Sequence, residues 1–309
     1  REAFLADPLR GWDSKQLGDQ TGLSNTGIHH QMVKLRESGL VAAKVDGKWH
    51  RHILRGGSIT SAVTMVESQA RTILGLRLSE LSQMVENSET RMVTEAEDDD
   101  LPFSIRIAEP GPLGEGDPVS NLASDLGIAG ESNRPRDNLP QELLLEFCSS
   151  HQPITLLALS ERLSKTRGRV STVVDRMRSA GLVERTPMSD RIPQDIFAGL
   201  SRQFDARGED WLMSRGGLGR LEESVSGALV SGVSTGKLGI EQVRDILSPV
   251  SLADQRVLLN TLGGRMPYGF RISGANGDAV STRVLRKAEQ TLRRLRTVAS
   301  RIEEALHSS

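Results

Sequence analysis

Two stretches of the chain concentrate side chains suited to polar recognition. The first carries an amide, a hydroxyl and two imidazoles, at Asn25, Thr26, His29 and His30. The second, residues 165–172, is rich in arginine and hydroxyl side chains. Amides, hydroxyls and imidazoles donate and accept hydrogen bonds, and a guanidinium group donates in a planar fork that fits a pair of acceptors. Both stretches are therefore suited to binding a polar or anionic partner.

No pattern typical of an enzyme accompanies these stretches. The Gly-rich residues 216–219 follow no clear strand and lack the lysine of a phosphate-binding loop. Neither a Ser, His and Asp set nor a Cys and His pair is recognisable, and the acidic residues are not paired with histidine at helical spacing. We therefore expect no catalysis and no cofactor.

The composition is typical of several small helical domains. The 309 residues exceed one typical domain, 37% of them are hydrophobic, and the formal net charge is −1. Only 3% are aromatic, which is few for the stacking surfaces that bind single-stranded nucleic acid. Neither an apolar run of ~20 residues nor a signal-peptide pattern is present, so we expect a cytoplasmic protein. Because Arg1 falls within a predicted helix, we expect further residues upstream.

A helix-turn-helix pattern surrounds the first polar stretch. Ser14–Thr21 is predicted as a short helix, Gly22 turns the chain, and Ser24 is a favourable N-cap for a second helix. Ile28 and Met32 begin an apolar stripe on that second helix, at a spacing of four residues. The polar side chains of this helix therefore point away from the core.

A hairpin is predicted directly after this helix. Gly39 ends the helix at a position that tolerates positive φ, and residues 41–45 and 48–54 are predicted strands. Asp46 and Gly47 between them are the strongest short-range signal for a two-residue hairpin turn. Helix, turn, helix and hairpin in this order are typical of a winged helix.

A second block, residues 139–195, repeats this order. Residues 35–41 are Leu-Arg-Glu-Ser-Gly-Leu-Val, and residues 177–183 are Met-Arg-Ser-Ala-Gly-Leu-Val. The two blocks therefore form a weak internal repeat. Pro187 and Pro193 bracket the second hairpin, and because proline cannot donate to a strand ladder we expect a shortened or irregular second wing.

Both blocks resemble winged domains of known transcription regulators. Residues 22–41 and their hairpin resemble the ArsR-like family, in which a leucine-serine turn precedes a helix with a central histidine and the sequence Leu-Arg-Glu-x-Gly-Leu-Val. The second block resembles the MarR-like version at Leu163, 170–176, 181–185 and 189–191. The resemblance implies a mainly α-helical fold with two winged helix-turn-helix domains, small β-hairpin wings and long dimerisation helices. It also implies a sequence-specific regulator of transcription that binds double-stranded DNA.

The resemblance places the second helix of each block in the major groove, where residues near the helix N-terminus reach the base edges. The candidate DNA contacts in the first block are Asn25, Thr26, His29, His30 and Lys34. In the second block they are Lys165, Thr166, Arg167, Arg169, Ser171 and Thr172. The wing candidates, for phosphate or minor-groove contact, are Lys48, Arg51, Arg185 and Arg191.

The histidines leave a second interpretation open, because some ArsR-like proteins sense metals. His29 and His30 are adjacent, and His50 and His52 are separated by one residue. Since neither a cysteine nor a carboxylate cluster lies near them, we interpret all four as exposed side chains that contact DNA or water. The one cysteine, Cys148, follows an apolar run and is predicted to be a buried thiol.

An alternative function is compatible with the same pattern. Winged helices also serve as protein-binding modules, and a basic helix is often no more than a solvated face. The alternative is a scaffold or chromosome-architecture protein that holds protein partners through tandem winged helices, as in chromosome-condensation accessory subunits. Steep salt dependence of duplex binding would distinguish a DNA-binding regulator from such a scaffold.

The predicted domain organisation has four parts. Residues 1–86 form a winged helix with a long helix over 58–86, 87–138 an acidic linker, 139–230 the second winged helix, and 231–309 a C-terminal helical segment. Within the linker we expect a strand at 103–107 and a helical turn at 119–126. The second winged helix is expected to end in a helix over 209–229. Beyond it we expect short helices over Ile240–Leu247 and 252–262, a Gly-rich loop to 278 and a helix over 280–306.

The last helix carries a heptad seam. Its apolar residues alternate at spacings of four and three, at Ala288, Leu292, Leu295, Ala299, Ile302 and Leu306. This seam predicts a homodimer through the long helices, which would match a palindromic site. The alternative is that the helix packs back onto its own chain. A small-molecule effector bound between the C-terminal helices is a further partner that this arrangement allows.

Overall fold

The residues that the computed structural model describes are 2–46, 49–92, 96, 101–107, 117–130 and 138–308. They form a mainly helical fold with two antiparallel sheets of two strands each. Their buried apolar side chains gather in three cores, one N-terminal, one central and one within residues 192–262. No helix of this part of the chain is both long and apolar enough to cross a membrane.

The N-terminal unit comprises α1 (Glu2–Ala6), α2 (Ser14–Thr21), α3 (Asn25–Glu37), β1 (Val41–Asp46) and β2 (Trp49–Leu54). Asp13 and Gln16 form a capping box at the start of α2, and the Ser24 hydroxyl accepts the Gly27 amide at the start of α3. Gly22 joins the two helices with a left-handed φ of 68°. The helices and the cap predicted for this unit are confirmed, and so is the presence of a hairpin. Asp46, predicted to lie in the turn, instead pairs with Trp49 as the last residue of β1.

The segment after the hairpin begins with a long helix. A 3₁₀ turn at Arg55–Gly57 leads into α4 (Ile59–Met84), a second 3₁₀ turn lies at Thr90–Met92, and α5 (Pro118–Asp125) follows. The Ser58 hydroxyl caps α4 by accepting the Ser61 amide. The predicted helix over 58–86 and the predicted helical turn over 119–126 are confirmed.

The described parts of residues 87–138 are built into the core, which corrects their interpretation as a linker. Arg91 is 1% exposed, and its guanidinium donates to the carbonyl oxygens of Glu86, Ser150 and Gly274. Leu122 of α5 is fully buried in the central core. Because burial of an arginine requires that its donors be satisfied, these residues belong to the folded core and are not a free linker.

Residues 103–107 are extended but pair with no described strand, so the strand predicted there is wrong. The Ser104 amide donates to the carbonyl of Ser179 at 2.9 Å, and Phe103 and Ile105 pack against the central core. The acidic run at 97–100 lies outside the described residues.

The second unit begins with α6 (Leu139–Ser149), α7 (Leu156–Arg162), α8 (Arg167–Ser179) and β3 (Val183–Pro187). A helical insertion then follows, made of α9 (Ile192–Arg207), α10 (Glu209–Ser214), α11 (Glu223–Ser234), α12 (Ile240–Leu247) and α13 (Leu252–Thr261). It has its own core, in which Ile196, Leu200, Leu212 and Leu229 are fully buried. The helix predicted over 209–229 is therefore two helices, and the predicted boundary at residue 230 falls inside α11.

The partner of β3 comes from beyond the insertion. It is β4 (Tyr268–Ile272), which pairs antiparallel with β3 so that Val183 lies opposite Ile272. The Gly-rich loop predicted over 263–278 thus contains a strand, and the last helix, α14 (Gly277–His307), follows it. Pro187 predicts an irregular second hairpin. In the structure this hairpin consists of two paired strands that are connected by the helical insertion and not by a turn.

The two units repeat the same order of elements at a constant spacing up to the hairpin. In each unit a residue between the first two helices forms an isolated bridge to the last strand, a left-handed residue lies before α3 or α8, and a left-handed glycine follows that helix. These pairs are all 142 positions apart, namely Trp12 and Ile154, Gly22 and Ser164, and Gly39 and Gly181.

From the second strand of each hairpin onward, corresponding residues of the two units are 218 positions apart. His52 and Phe270 are the bridge partners in the last strand of each unit, and Ile59 and Gly277 are the first residues of α4 and α14. The increase of 76 residues corresponds to the helical insertion. The chain is therefore a duplicated module, and α4 and α14 are its two corresponding long helices.

The long helices α4 and α14 pack antiparallel on each other within one chain. Thr60 at the start of α4 donates to Glu303, and Leu78 near its end accepts from Ser281 at 2.9 Å. Of the predicted seam, Ala288 and Ala299 are buried in this way. The alternative arrangement, in which α14 packs back onto its own chain, thus accounts for part of the seam, whereas Leu295 and Leu306 are 38% and 41% exposed. Pairing of two copies along the rest of the seam stays a prediction.

Gly277 allows the closest approach between these helices. A Cβ atom added there would lie 2.1 Å from the Ser82 carbonyl oxygen and 2.3 Å from the Ser82 Cα, so the two backbones would have to separate. We expect Gly277→Ala to lower the free energy of unfolding by about 1–3 kcal/mol, as overpacking does. Urea titration of the full chain measures this change.

The matched control is Gly75→Ala, in the middle of α4, where an added Cβ meets nothing within 4 Å. Because alanine favours a helix over glycine, that variant should be unchanged or up to about 1 kcal/mol more stable. Equal effects of the two substitutions would contradict the close packing of α14 on α4.

Candidate nucleic-acid interface

The first polar stretch lies on one edge of α3. Ile28 and Met32 are 4% and 6% exposed and fasten the helix to the N-terminal core. The opposite edge is exposed, and it carries the predicted contacts Asn25, Thr26, His29, His30 and Lys34. Because Ser24 caps the helix, Asn25 is its first residue and lies at the end that would enter a groove.

The second polar stretch occupies the same place on α8. The buried side of this helix consists of Val170, Val173, Val174 and Met177. Its exposed edge carries four of the predicted contacts, Thr166, Arg167, Arg169 and Thr172, whereas Lys165 and Ser171 are half-buried. The Thr172 hydroxyl donates to the carbonyl of Gly168 at 2.9 Å. Both polar edges are thus presented outward on helices that a buried stripe holds in place.

In each unit a pair of backbone hydrogen bonds joins the last strand to the segment between the first two helices. In the first unit the amides of Trp12 and His52 donate to each other's carbonyls at 2.9 and 2.7 Å. In the second unit Ile154 and Phe270 make the same reciprocal pair at 2.8 Å each. Each bridge adds a third extended segment to a two-stranded hairpin, so that the hairpin is tied to its own helical core.

The first hairpin presents a basic face. Arg51 is exposed, and it lies directly opposite Lys44 in the register of β1 and β2. Like charges at opposite positions repel each other, so an anion beside the hairpin would stabilise this pair. The sequence analysis did not include Lys44 among the candidate contacts. The alternation of side chains along β1 and the pairing of β1 with β2 are what place it beside Arg51. The predicted contact Lys48 lies outside the described residues.

The second hairpin holds its predicted arginines differently. Arg185 is half-buried, with its guanidinium carbon 3.5 Å from the centre of the Tyr268 ring. Arg191 is exposed, but it lies in the 3₁₀ turn Ser189–Arg191 that leads into α9. The prediction that Arg191 sits on a hairpin wing is therefore wrong, because the chain leaves the sheet there to form the insertion.

His52 is buried at 8% exposure, which corrects its interpretation as an exposed side chain. Burial lowers the pKa of His52, and electrostatic interactions with Arg36 and His50 lower it further. His29, His30 and His50 are exposed as predicted. Among the described residues, no three His, Cys, Asp or Glu side chains are grouped so that they could hold a metal ion.

The predicted buried thiol is confirmed. Cys148 is 2% exposed, and burial raises its pKa to about 12, although the Arg91 charge opposes that change. A thiol in this environment is almost entirely protonated at neutral pH and acts as a small apolar side chain.

A cleft of about 990 Å³ separates the C-terminal end of α3 from the long helices. Its apolar lining includes Val33, Val66, Phe103, Ile105 and Leu292. The cleft lies between α3, α4 and α14.

The chain matches no protein-family model, no curated protein and no solved structure. Its function is therefore inferred from its own residues and their arrangement.

The buried imidazole makes the N-terminal unit sensitive to acid. Because the folded-state pKa of His52 lies below its ordinary value of 6.5, the unfolded chain takes up a proton more readily as the pH falls through 6.5. We expect stability to decrease between pH 7.5 and pH 5.5 in urea titrations, and His52→Gln to reduce that decrease. His29→Gln, at an exposed position, is the control and should keep the wild-type dependence. An unchanged pH dependence in His52→Gln would contradict the assignment.

Proposed function

We propose that the two units are winged helix-turn-helix domains and that the protein is a sequence-specific transcription regulator that binds double-stranded DNA. The observation that carries this proposal is the exposure of the same polar edge on α3 and α8, in two units that share one order of elements. Groove recognition requires an exposed polar edge on a helix whose other side is packed against a core. This chain has two such helices.

The dimensions and chemistry of the major groove fit these helices. The groove admits one α-helix, and its base pairs present distinct patterns of donors and acceptors. Arg167 and Arg169 lie in the first turn of α8, where a guanidinium can donate to both O6 and N7 of guanine. Asn25 at the start of α3 has the amide that pairs with adenine.

The remaining basic residues are suited to the phosphate backbone. Lys34 is exposed on α3, and Lys44 and Arg51 form the basic face of the first hairpin. Contacts of this kind position a protein on DNA and supply much of its affinity, without reading the sequence. The ArsR-like and MarR-like resemblances agree with this division between recognition helix and wing.

A second candidate function is a scaffold that holds protein partners, and the insertion at the second hairpin favours it. This insertion replaces a hairpin tip with five helices, whose exposed apolar side chains include Ile240, Leu252 and Val257. Exposed apolar residues on an added domain are typical of protein contacts. A transcription regulator can also carry such an insertion. DNA binding therefore remains the main proposal unless the chain fails to bind a duplex.

A salt titration with a charge-matched control tests the proposal. We expect the full chain to bind a pool of 30-bp duplexes with log Kd rising linearly with log salt concentration, as counterion release requires. Replacing Arg167 and Arg169 together by alanine should weaken binding to a selected sequence by at least about ten-fold, since one bidentate guanine contact is worth about 1–3 kcal/mol.

The control replaces Arg215 and Arg220, two exposed arginines of the insertion, by alanine and removes the same charge. It should change Kd less than about two-fold. Duplex binding that stays undetectable at 50 mM salt would favour the scaffold, and equal losses in both double variants would show that charge alone determines the effect.

A further inference from the structure

We infer that a single chain occupies a complete bipartite site on DNA, with its two units acting as the two halves of an internal dimer, and that the site has two unlike halves. This inference rests on the proposed function and adds to it the stoichiometry and the symmetry of the target. It is carried by the pairing of α4 with α14 and by the side chains at corresponding positions of α3 and α8.

The centre of the helix pair is an ion pair between corresponding residues. Arg71 and Glu289 are 218 positions apart, which is the spacing of the duplicated module, so each occupies the same place in its own helix. The Arg71 Nε lies 2.6 Å from Glu289 Oε1, and its Nη2 lies 3.0 Å from Oε2. The same pairing between two copies of α4 would bring Arg71 against Arg71.

The contacts on either side are arranged symmetrically about this centre. Thr60 meets Glu303 on one side, and Ser82 meets Gly277 on the other. Two antiparallel copies of one helix, related by a two-fold axis, produce this pattern. The duplicated helices therefore pair as the subunits of a dimer would, but within one chain.

A buried carboxylate makes the pairing selective for unlike helices. Glu67 is 1% exposed, and its Oε2 accepts hydrogen bonds from Arg296 of α14 and from Arg71. The residue of α4 that corresponds to Arg296 is Leu78, 218 positions earlier. In a pair of two α4 helices Glu67 would face Leu78, and the buried charge would lose the interhelical arginine. Such a loss is strongly unfavourable, so α4 selects α14 and excludes a second copy of itself.

The two recognition helices differ at corresponding positions, which are 142 apart. Asn25 corresponds to Arg167, and His29 corresponds to Ser171. An asparagine amide pairs with adenine and an arginine guanidinium with guanine, so the same place in the two half-sites is read by different chemistry. In a palindromic site both half-sites have the same sequence, so one unit would contact its preferred bases and the other would not.

The test begins with duplexes selected from a random library by the full chain. We expect the selected sequences to contain two unlike halves, and mass photometry of the complex to give one chain per duplex. Two symmetrised duplexes are then made, each with one half repeated in inverted orientation. Both should bind about ten-fold or more weakly than the selected duplex, since each mismatched base pair is costly.

Two single substitutions assign the halves. Arg167→Ala should relax the base preference in one half only, and Asn25→Ala should relax it in the other half only, with Arg215→Ala changing neither. Palindromic selected sites, two chains per duplex or relaxation of the same half by both substitutions would overturn the inference while leaving DNA binding intact. Failure to enrich or bind any duplex at 50 mM salt would overturn the proposed function and this inference with it.

Discussion

The structure depends on two long amphipathic helices that must cover each other's apolar faces. The N-terminal core contains few large side chains, and the buried leucines of α4 join the central core instead. By packing α4 against α14, the chain joins Leu74 and Leu78 of the first module to Val280 and Val284 of the second in one central core. The pairing of α4 with α14 thus connects the two units through one core.

Buried charges make this arrangement specific. Arg271 on β4 is 1% exposed, and its Nε donates to Glu184 on β3 at 2.8 Å, while Arg283 of α14 donates to the other carboxylate oxygen at 2.5 Å. Arg271 also donates to the carbonyl of Arg91, which lies in the segment that returns from α4. A buried charge is tolerated only with its partners in place, so strand, helix and returning segment have one compatible arrangement.

The insertion shows how a duplicated module can diverge without losing its core. It enters where a hairpin turn would be, and exposed turns tolerate added residues because few contacts depend on them. The bridge between Ile154 and Phe270 and the buried side chain of Ile272 keep the second hairpin closed although its strands are far apart in sequence. The strands of the first hairpin are thus adjacent in sequence, whereas those of the second are joined by a helical unit with its own core.

Much of the local structure was decided by the sequence alone. The cap at Ser24, the left-handed glycines at positions 22 and 39, and the stripe that begins at Ile28 each act within a few residues, so the two helices and the hairpin after them could be predicted. The exposure of the polar edges of α3 and α8 followed from the same periodicity.

The tertiary structure alone decided which distant elements meet. Only the fold shows that β3 pairs with β4, that α14 packs on α4, that Arg91 is buried and that His52 of β2 is buried. An apolar stripe indicates that a helix packs against a partner. It does not indicate which partner, because the hydrophobic effect is non-directional. The complementary charges of Arg71 and Glu289 likewise become visible only when the two helices are set side by side.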